Sequence, residues 1–97
     1  MPHFVTLMNW TEQGARSFRD TVDRAEGARA TLQAQGVTLK DVYWTIGQHD
    51  LVCILEAPDV ETVAAATLLL GAQGNLRTTT MRGFTSDEML AVLAKAG

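Results

Sequence analysis

The sequence predicts an α+β fold: an antiparallel four-stranded sheet in the ferredoxin-like βαββαβ order, followed by a C-terminal helix. Three observations carry this. Two strand-like runs, Leu39 to Ile46 and Leu51 to Leu55, flank a turn at Gly47-Gln48. A helical pattern precedes this pair and another follows it, each bounded by capping and breaking residues. The two segments with apolar residues on both faces, His3 to Asn9 and Leu51 to Leu55, are the first and third strands. Crossover rules place those two at the sheet's centre, where both faces are covered.

Taken in order, His3 to Asn9 points Phe4, Thr6 and Met8 one way and Val5 and Leu7 the other. Thr11 caps a short helix that Gly14 weakens, and Asp20 or Thr21 opens a longer one running to about Ala34. Phe18, Val22, Ala25 and Leu32 recur on its apolar face beside Ala28, and Gly36 ends it. Leu39 to Ile46 forms the second strand and Leu51 to Leu55 the third. Pro58 stops the third strand, and Asp59 caps a helix from Val60 to about Leu70 with a stripe of Val63, Ala64, Thr67 and Leu68. After the break at Gly71-Ala72-Gln73-Gly74, Asn75 to Phe84 is a threonine-rich fourth strand. Thr85 and Glu88 form a capping box for a last helix, Asp87 to Lys95, with Met89, Leu90 and Leu93 on one side.

Ninety-seven residues predict one domain, 1–97, with one core. A net charge of −3 and scattered basic residues give no footprint for nucleic acid or for an acidic membrane surface. The single cysteine, Cys53, permits no intramolecular disulfide and fits a reducing, cytoplasmic setting. Inside the most apolar strand it reads as an inert buried thiol. The start lacks a charged leader, and the longest helical apolar run, Val63 to Leu70, is too short for a bilayer. Two histidines and no cluster with ligand spacing predict neither metal nor cofactor. The two longer helices cover only one face of the sheet. The apolar residues of the other face therefore predict a partner surface, whose simplest cover is a second copy.

Several segments resemble the GYD domain family: Val5-Thr6-Leu7-Met8-Asn9 with Thr11, Arg24-Ala25-Glu26, Asp41-Val42-Tyr43-Trp44-Thr45-Ile46-Gly47, Asp50-Leu51-Val52, Glu56-Ala57-Pro58-Asp59 and Gly74-Asn75-Leu76-Arg77-Thr78-Thr79-Thr80. They run through almost the whole chain. The resemblance implies a dimeric α/β-barrel type of assembly, in which ferredoxin-like units pair through their sheets, and it implies no settled activity. The tyrosine of the family's signature is His49 here, an imidazole in place of a phenol.

The chemical candidates are few. His49 and Asp50 form the only His-Asp pair and are the candidates for acid/base catalysis at a pocket mouth. Alternatively, Asp50 satisfies turn donors and His49 is solvated. Asn75, Arg77 and Thr79 alternate along the last strand against Thr78, Thr80 and Arg82, and Arg77 with Thr79 could line a site for a small anion or carbonyl compound. Tyr43 and Trp44 lie on opposite faces, one under helices and the other toward a partner or pocket. The expected ligand-binding residues are thus Tyr43, His49, Asp50, Arg77 and Thr79. The leading expectation is a homo-oligomer that binds a small molecule beside the sheet. Its rivals are a cofactor-independent enzyme acting on a carbonyl or aromatic compound, and an assembly module without ligand. The sequence does not decide whether the protein is an enzyme.

Overall fold

The computed structural model describes residues 1–97. Its elements are β1 (His3–Trp10), α1 (Glu12–Arg16), a 3-10 turn at Phe18–Asp20, α2 (Thr21–Ala34), β2 (Thr38–Trp44), β3 (Leu51–Glu56), α3 (Val60–Ala72), β4 (Leu76–Gly83) and α4 (Ser86–Ala96). The strands form one antiparallel sheet in the order β2-β3-β1-β4, so the two doubly apolar strands are central. This is the ferredoxin-like arrangement. No helix is long and apolar enough to cross a membrane.

One face of the sheet carries the core. Phe4, Thr6 and Met8 of β1 and Leu51, Cys53 and Leu55 of β3 are buried there, beneath Leu32 of α2 and Val63, Ala66 and Leu70 of α3. Thr6 is the buried polar exception, and its hydroxyl meets Thr80 Oγ1 at 3.1 Å. α2 packs over the β2 edge and α3 over the β4 edge. The shortest dimension of the molecule, 17 Å, is that of one sheet with one layer of helices.

Local chemistry explains the element boundaries. The Thr11 hydroxyl accepts from the Gly14 amide and donates to Gly74 O at 2.6 Å, tying α1 to the start of β4. A Cβ on Gly14 would lie 2.2 Å from the Asn75 carbonyl oxygen, so glycine is required by close approach. The Asp59 carboxylate accepts from the Thr62 amide and hydroxyl at the start of α3. The Thr85–Glu88 capping box is formed in both directions. The break between a short and a longer first helix is present as the 3-10 turn.

Three expectations need correction. The second strand does not run to Ile46 and into a tight turn at Gly47-Gln48: β2 stops at Trp44, and residues 45–50 form a loop with Ile46 wholly exposed. Thr45 ties the base of that loop, donating through its amide to Asp50 O and through its hydroxyl to His49 O. Gly47 sits there at φ +130°, a conformation that side-chain-bearing residues rarely adopt. The buried stripe of α3 is Val63, Ala66 and Leu70, while Ala64 and Leu68 point outward. That helix is apolar nearly all round, so periodicity does not mark its inner face. Phe18 and Val22 are also exposed: Phe18 lies in the 3-10 turn, outside the helix whose stripe it was expected to join, and Val22 in the first turn of α2.

α4 buries none of its residues and leaves Met89, Leu90, Val92 and Leu93 exposed. It is anchored at its first turn, where Glu88 meets Arg82 at 3.1 Å.

Candidate functional site

The sheet's second face has no helical layer. Residues directly opposite one another on paired strands share a face, so the register gives its composition in rows. One row runs Tyr43, Val52, Leu7, Thr79, and the next runs Asp41, Ile54, Val5, Met81. Val5, Leu7, Val52 and Ile54 are only half-buried in this chain, and Tyr43 and Met81 are exposed. The middle of the open face is therefore apolar, with polar groups at both ends.

At one end the loop of residues 45–50 is fastened to the end of β1. The His49 ring Nδ1 lies 2.9 Å from Asn9 Oδ1, and Asn9 Nδ2 donates to Gln48 O at 2.8 Å. With Asn9 Oδ1 as acceptor, His49 donates from Nδ1, and a neutral ring presents Nε2 as an acceptor. Asp50 Oδ2 accepts the Trp10 backbone N–H at 2.9 Å, while the Asp50 amide donates to Met8 O. The Asp50 carboxylate thus replaces the backbone acceptor that β3 would have supplied one residue earlier. It satisfies a donor of the neighbouring strand, and none within its own turn.

The structure brings four of the five sequence-selected residues to this end of the open face. Tyr43 and Thr79 occupy the two ends of one row, three strand spacings or about 14 Å apart. Arg77 stands opposite Asn9, whose side chain holds His49, so both bracket Asn9. Asp50 turns to the backbone of Trp10. Trp44 faces the helices instead, and its Nε1 donates to Thr21 Oγ1 at 2.8 Å. The other alternate set on β4 also faces the helices: Thr80 meets Thr6, and Arg82 stacks over Phe84 at 4.5 Å.

The opposite end carries ionic groups. Glu56 Oε1 lies 3.0 Å from His3 Nε2 and 3.2 Å from Lys40 Nζ. Lys40 reaches it because a bulge lies between Leu39 and Asp41. Arg29 of α2 donates to the Leu39 carbonyl at that irregularity. The Lys40 hydrogen bond holds the Glu56 carboxyl below its ordinary range. The Thr85 backbone N–H, and then Arg82, do the same for Glu88. Cys53 lies on the helical face with its Sγ 3.9 Å from Met8 Sδ, and burial pushes its thiol up to about 11. It is neutral at physiological pH and a poor nucleophile. No group of three or more His, Cys, Asp or Glu side chains is placed to hold a metal ion.

Sequence reasoning missed Met81, the Thr6–Thr80 pair and the fastening of His49 to Asn9. Only Met81 left a signal, since it alternates with Arg77 and Thr79.

Comparison with known proteins adds four findings. The GYD domain model matches residues 4–93. A Thermus thermophilus protein named glutamine synthetase and cystathionine beta-lyase binding protein is 31% identical over 94 residues, covering 96% of this chain and 99% of its own. Among solved structures, MtbAldR superposes with a TM-score of 0.68 at 16% identity over 88% of this chain, which spans about half (52%) of that protein. TTHA0845, also of Thermus thermophilus, superposes with a TM-score of 0.56 at 20% identity, covering 89% of this chain and 96% of its own. The two structural likenesses speak for the fold alone.

Proposed function

This chain belongs to the GYD domain family, and from that premise we propose that it is a self-associating binding protein acting as one domain over residues 1–97. Copies pair through their open sheet faces, and the assembly docks on metabolic enzymes, as the name of the Thermus relative records for that protein. The observation that carries this reading is the apolar centre of the open face, formed by Val5, Leu7, Val52 and Ile54 with Tyr43 and Met81 beside them. An apolar face of that extent in water favours association, at roughly 25 cal/mol per Å² of apolar area removed. Met89, Leu90 and Leu93 of α4 offer a second exposed apolar stripe, available to a protein partner after pairing. The lone cysteine supports a reducing compartment, the cytoplasm.

A second reading rests on the polar corner. Tyr43, His49, Arg77 and Thr79, with Asp50 fixing the loop, would edge a small-molecule site where two paired faces meet. Arg77 has no carboxylate partner among the ion pairs of the chain, so an anion or carbonyl compound suits that corner.

The test is binding of purified glutamine synthetase and cystathionine β-lyase from the source organism, measured by biosensor for wild type and Val52→Lys. Wild type is expected to bind one or both. The pairing-deficient variant is expected to bind with lower apparent affinity, because two linked contacts become one. Absence of binding to either enzyme overturns the docking half of the proposal.

A further inference from the structure

On the helical side of the sheet, between α2 and α3, a crevice of about 40 Å³ opens over Cys53. Met8, Leu32, Cys53 and Leu70 give it an apolar lining, with Trp10 and Arg24 among the remaining walls. A water needs roughly 10–15 Å³ of such space, so the crevice has room for about three waters or one small organic group.

One donor and one charge at this crevice lack a counterpart. The Trp10 indole Nε1 is buried with no acceptor. Buried N–H groups almost always have one, so an acceptor is missing from the protein's own complement. The Arg24 guanidinium donates to Ser17 O at 2.8 Å, Ser17 Oγ at 2.7 Å and Gly14 O at 3.2 Å, all neutral oxygens. No ion pair of the chain includes it. Its charge is therefore held in place but not neutralised. A water would find polar partners among Thr21, Arg24, Gln73 and Asn75 but would leave the Arg24 charge unneutralised. An acceptor carried on an apolar body answers both needs at once. A neutral carbonyl would satisfy Trp10 and leave the Arg24 charge unmet, whereas a carboxylate serves both.

We propose that this crevice binds a short-chain carboxylate. The carboxylate accepts from Trp10 Nε1–H and faces Arg24, and the alkyl chain packs against Met8, Leu32, Cys53 and Leu70. The site lies on the opposite face of the sheet from the self-association surface, so it stands or falls independently of that reading.

The two tryptophans supply the test, because the Trp44 indole already has Thr21 as its acceptor. Indole resonances of the ¹⁵N-labelled full chain are followed while sodium propionate is added, with sodium chloride and propanol as controls. The expected result is a saturable shift of the Trp10 resonance at millimolar propionate, with little movement of Trp44. Propanol should bind about tenfold more weakly or worse, and Arg24→Gln should weaken propionate by a similar factor. Since Arg24 also braces the α1–α2 junction, Trp10→Phe provides a second variant that keeps an aromatic side chain, a smaller one, and removes the donor. Backbone amides around Leu51 and Cys53, which line the crevice, should also shift saturably in wild type and should not do so in this variant. A Trp10 resonance that does not move, that moves equally with chloride, or that saturates equally with propanol overturns the proposal. So does unchanged propionate affinity in a folded Trp10→Phe.

Discussion

The two faces of the sheet are built from similar residues and lead different lives. On the helical face Phe4, Met8, Leu51, Cys53 and Leu55 are each at most 4% exposed. On the open face Val5, Leu7, Val52 and Ile54 come from the same two strands, alternate with them residue by residue, and remain half-exposed. Side-chain alternation has a period of two, so a strand cannot be apolar on both faces by accident of one pattern. The chain carries apolar groups on a face that its own helices do not reach. The ends of that face differ from its centre: Glu56 pairs with Lys40 and lies against His3 at one end, and His49 and Asn9 hydrogen-bond at the other. An apolar centre with a polar rim is the composition of an interface.

Paired substitutions across β3 probe this contrast most strongly. Leu55→Ala, at a fully buried position, should cost about 2–5 kcal/mol in urea unfolding. Val52→Ala, three residues away on the open face, should cost about 1 kcal/mol in a dissociated chain. Its cost should grow with protein concentration if copies pair, because association stabilises the folded state by mass action. A concentration-independent Val52→Ala effect would break the comparison.

Gly14→Ala comes next. The added methyl group meets the Asn75 backbone oxygen, which cannot rotate away, and should cost about 1–3 kcal/mol by calorimetry or denaturant titration. Asp50→Ala should be milder, about 1 kcal/mol, through the unpaired Trp10 N–H. Asp50→Asn should recover much of that loss, since an amide oxygen still accepts. If Asp50→Asn is as unstable as Asp50→Ala, the carboxylate charge matters more than the hydrogen bond.

The smallest effects concern pH. Glu56, Asp59 and Glu88 have carboxyls lowered in the folded state, by Lys40, by Thr62 and by the Thr85 N–H respectively. Folded-state lowering means that the native chain binds fewer protons. Their contribution is present above the ordinary carboxylate range and is lost as pH falls through the lowered values, below about pH 4. Cys53 acts in the opposite direction. Its raised thiol contributes below the ordinary thiol value, and that contribution is lost as pH rises toward about 11. Thermal melts across pH should show both limbs, and Cys53→Ala should flatten the alkaline one.

The strand order and three of the helix starts were legible in the sequence because each rests on a local device, whereas Asp20 makes no side-chain cap at the start of α2. Thr11, Asp59 and Thr85 are caps, and the apolar runs of β1 and β3 mark the centre of the sheet. The β2–β3 connection was not legible. Gly47-Gln48 reads as a turn in isolation, but Asn9 and Trp10, about 40 residues earlier, draw His49 and Asp50 into other bonds. The inner face of α3 was hidden by its own alanines and leucines. On β4, alternation grouped Arg77 with Thr79, yet threonine and arginine occur on both faces, so only the partner residues Leu7 and Asn9 assign that group to the open side. The crevice beside Trp10 left no local pattern at all, since its lining comes from separate elements across the fold.

The pairing of open faces is most directly tested by light scattering of the purified chain at micromolar concentration, alongside Val52→Lys. The lysine replaces an apolar side chain at the centre of the open face and leaves the helical core untouched. The expected result is a mass of two chains, or a multiple of two, for wild type and of one chain for a folded Val52→Lys. A wild-type mass of one chain, or a Val52→Lys variant that stays fully assembled, would contradict the account.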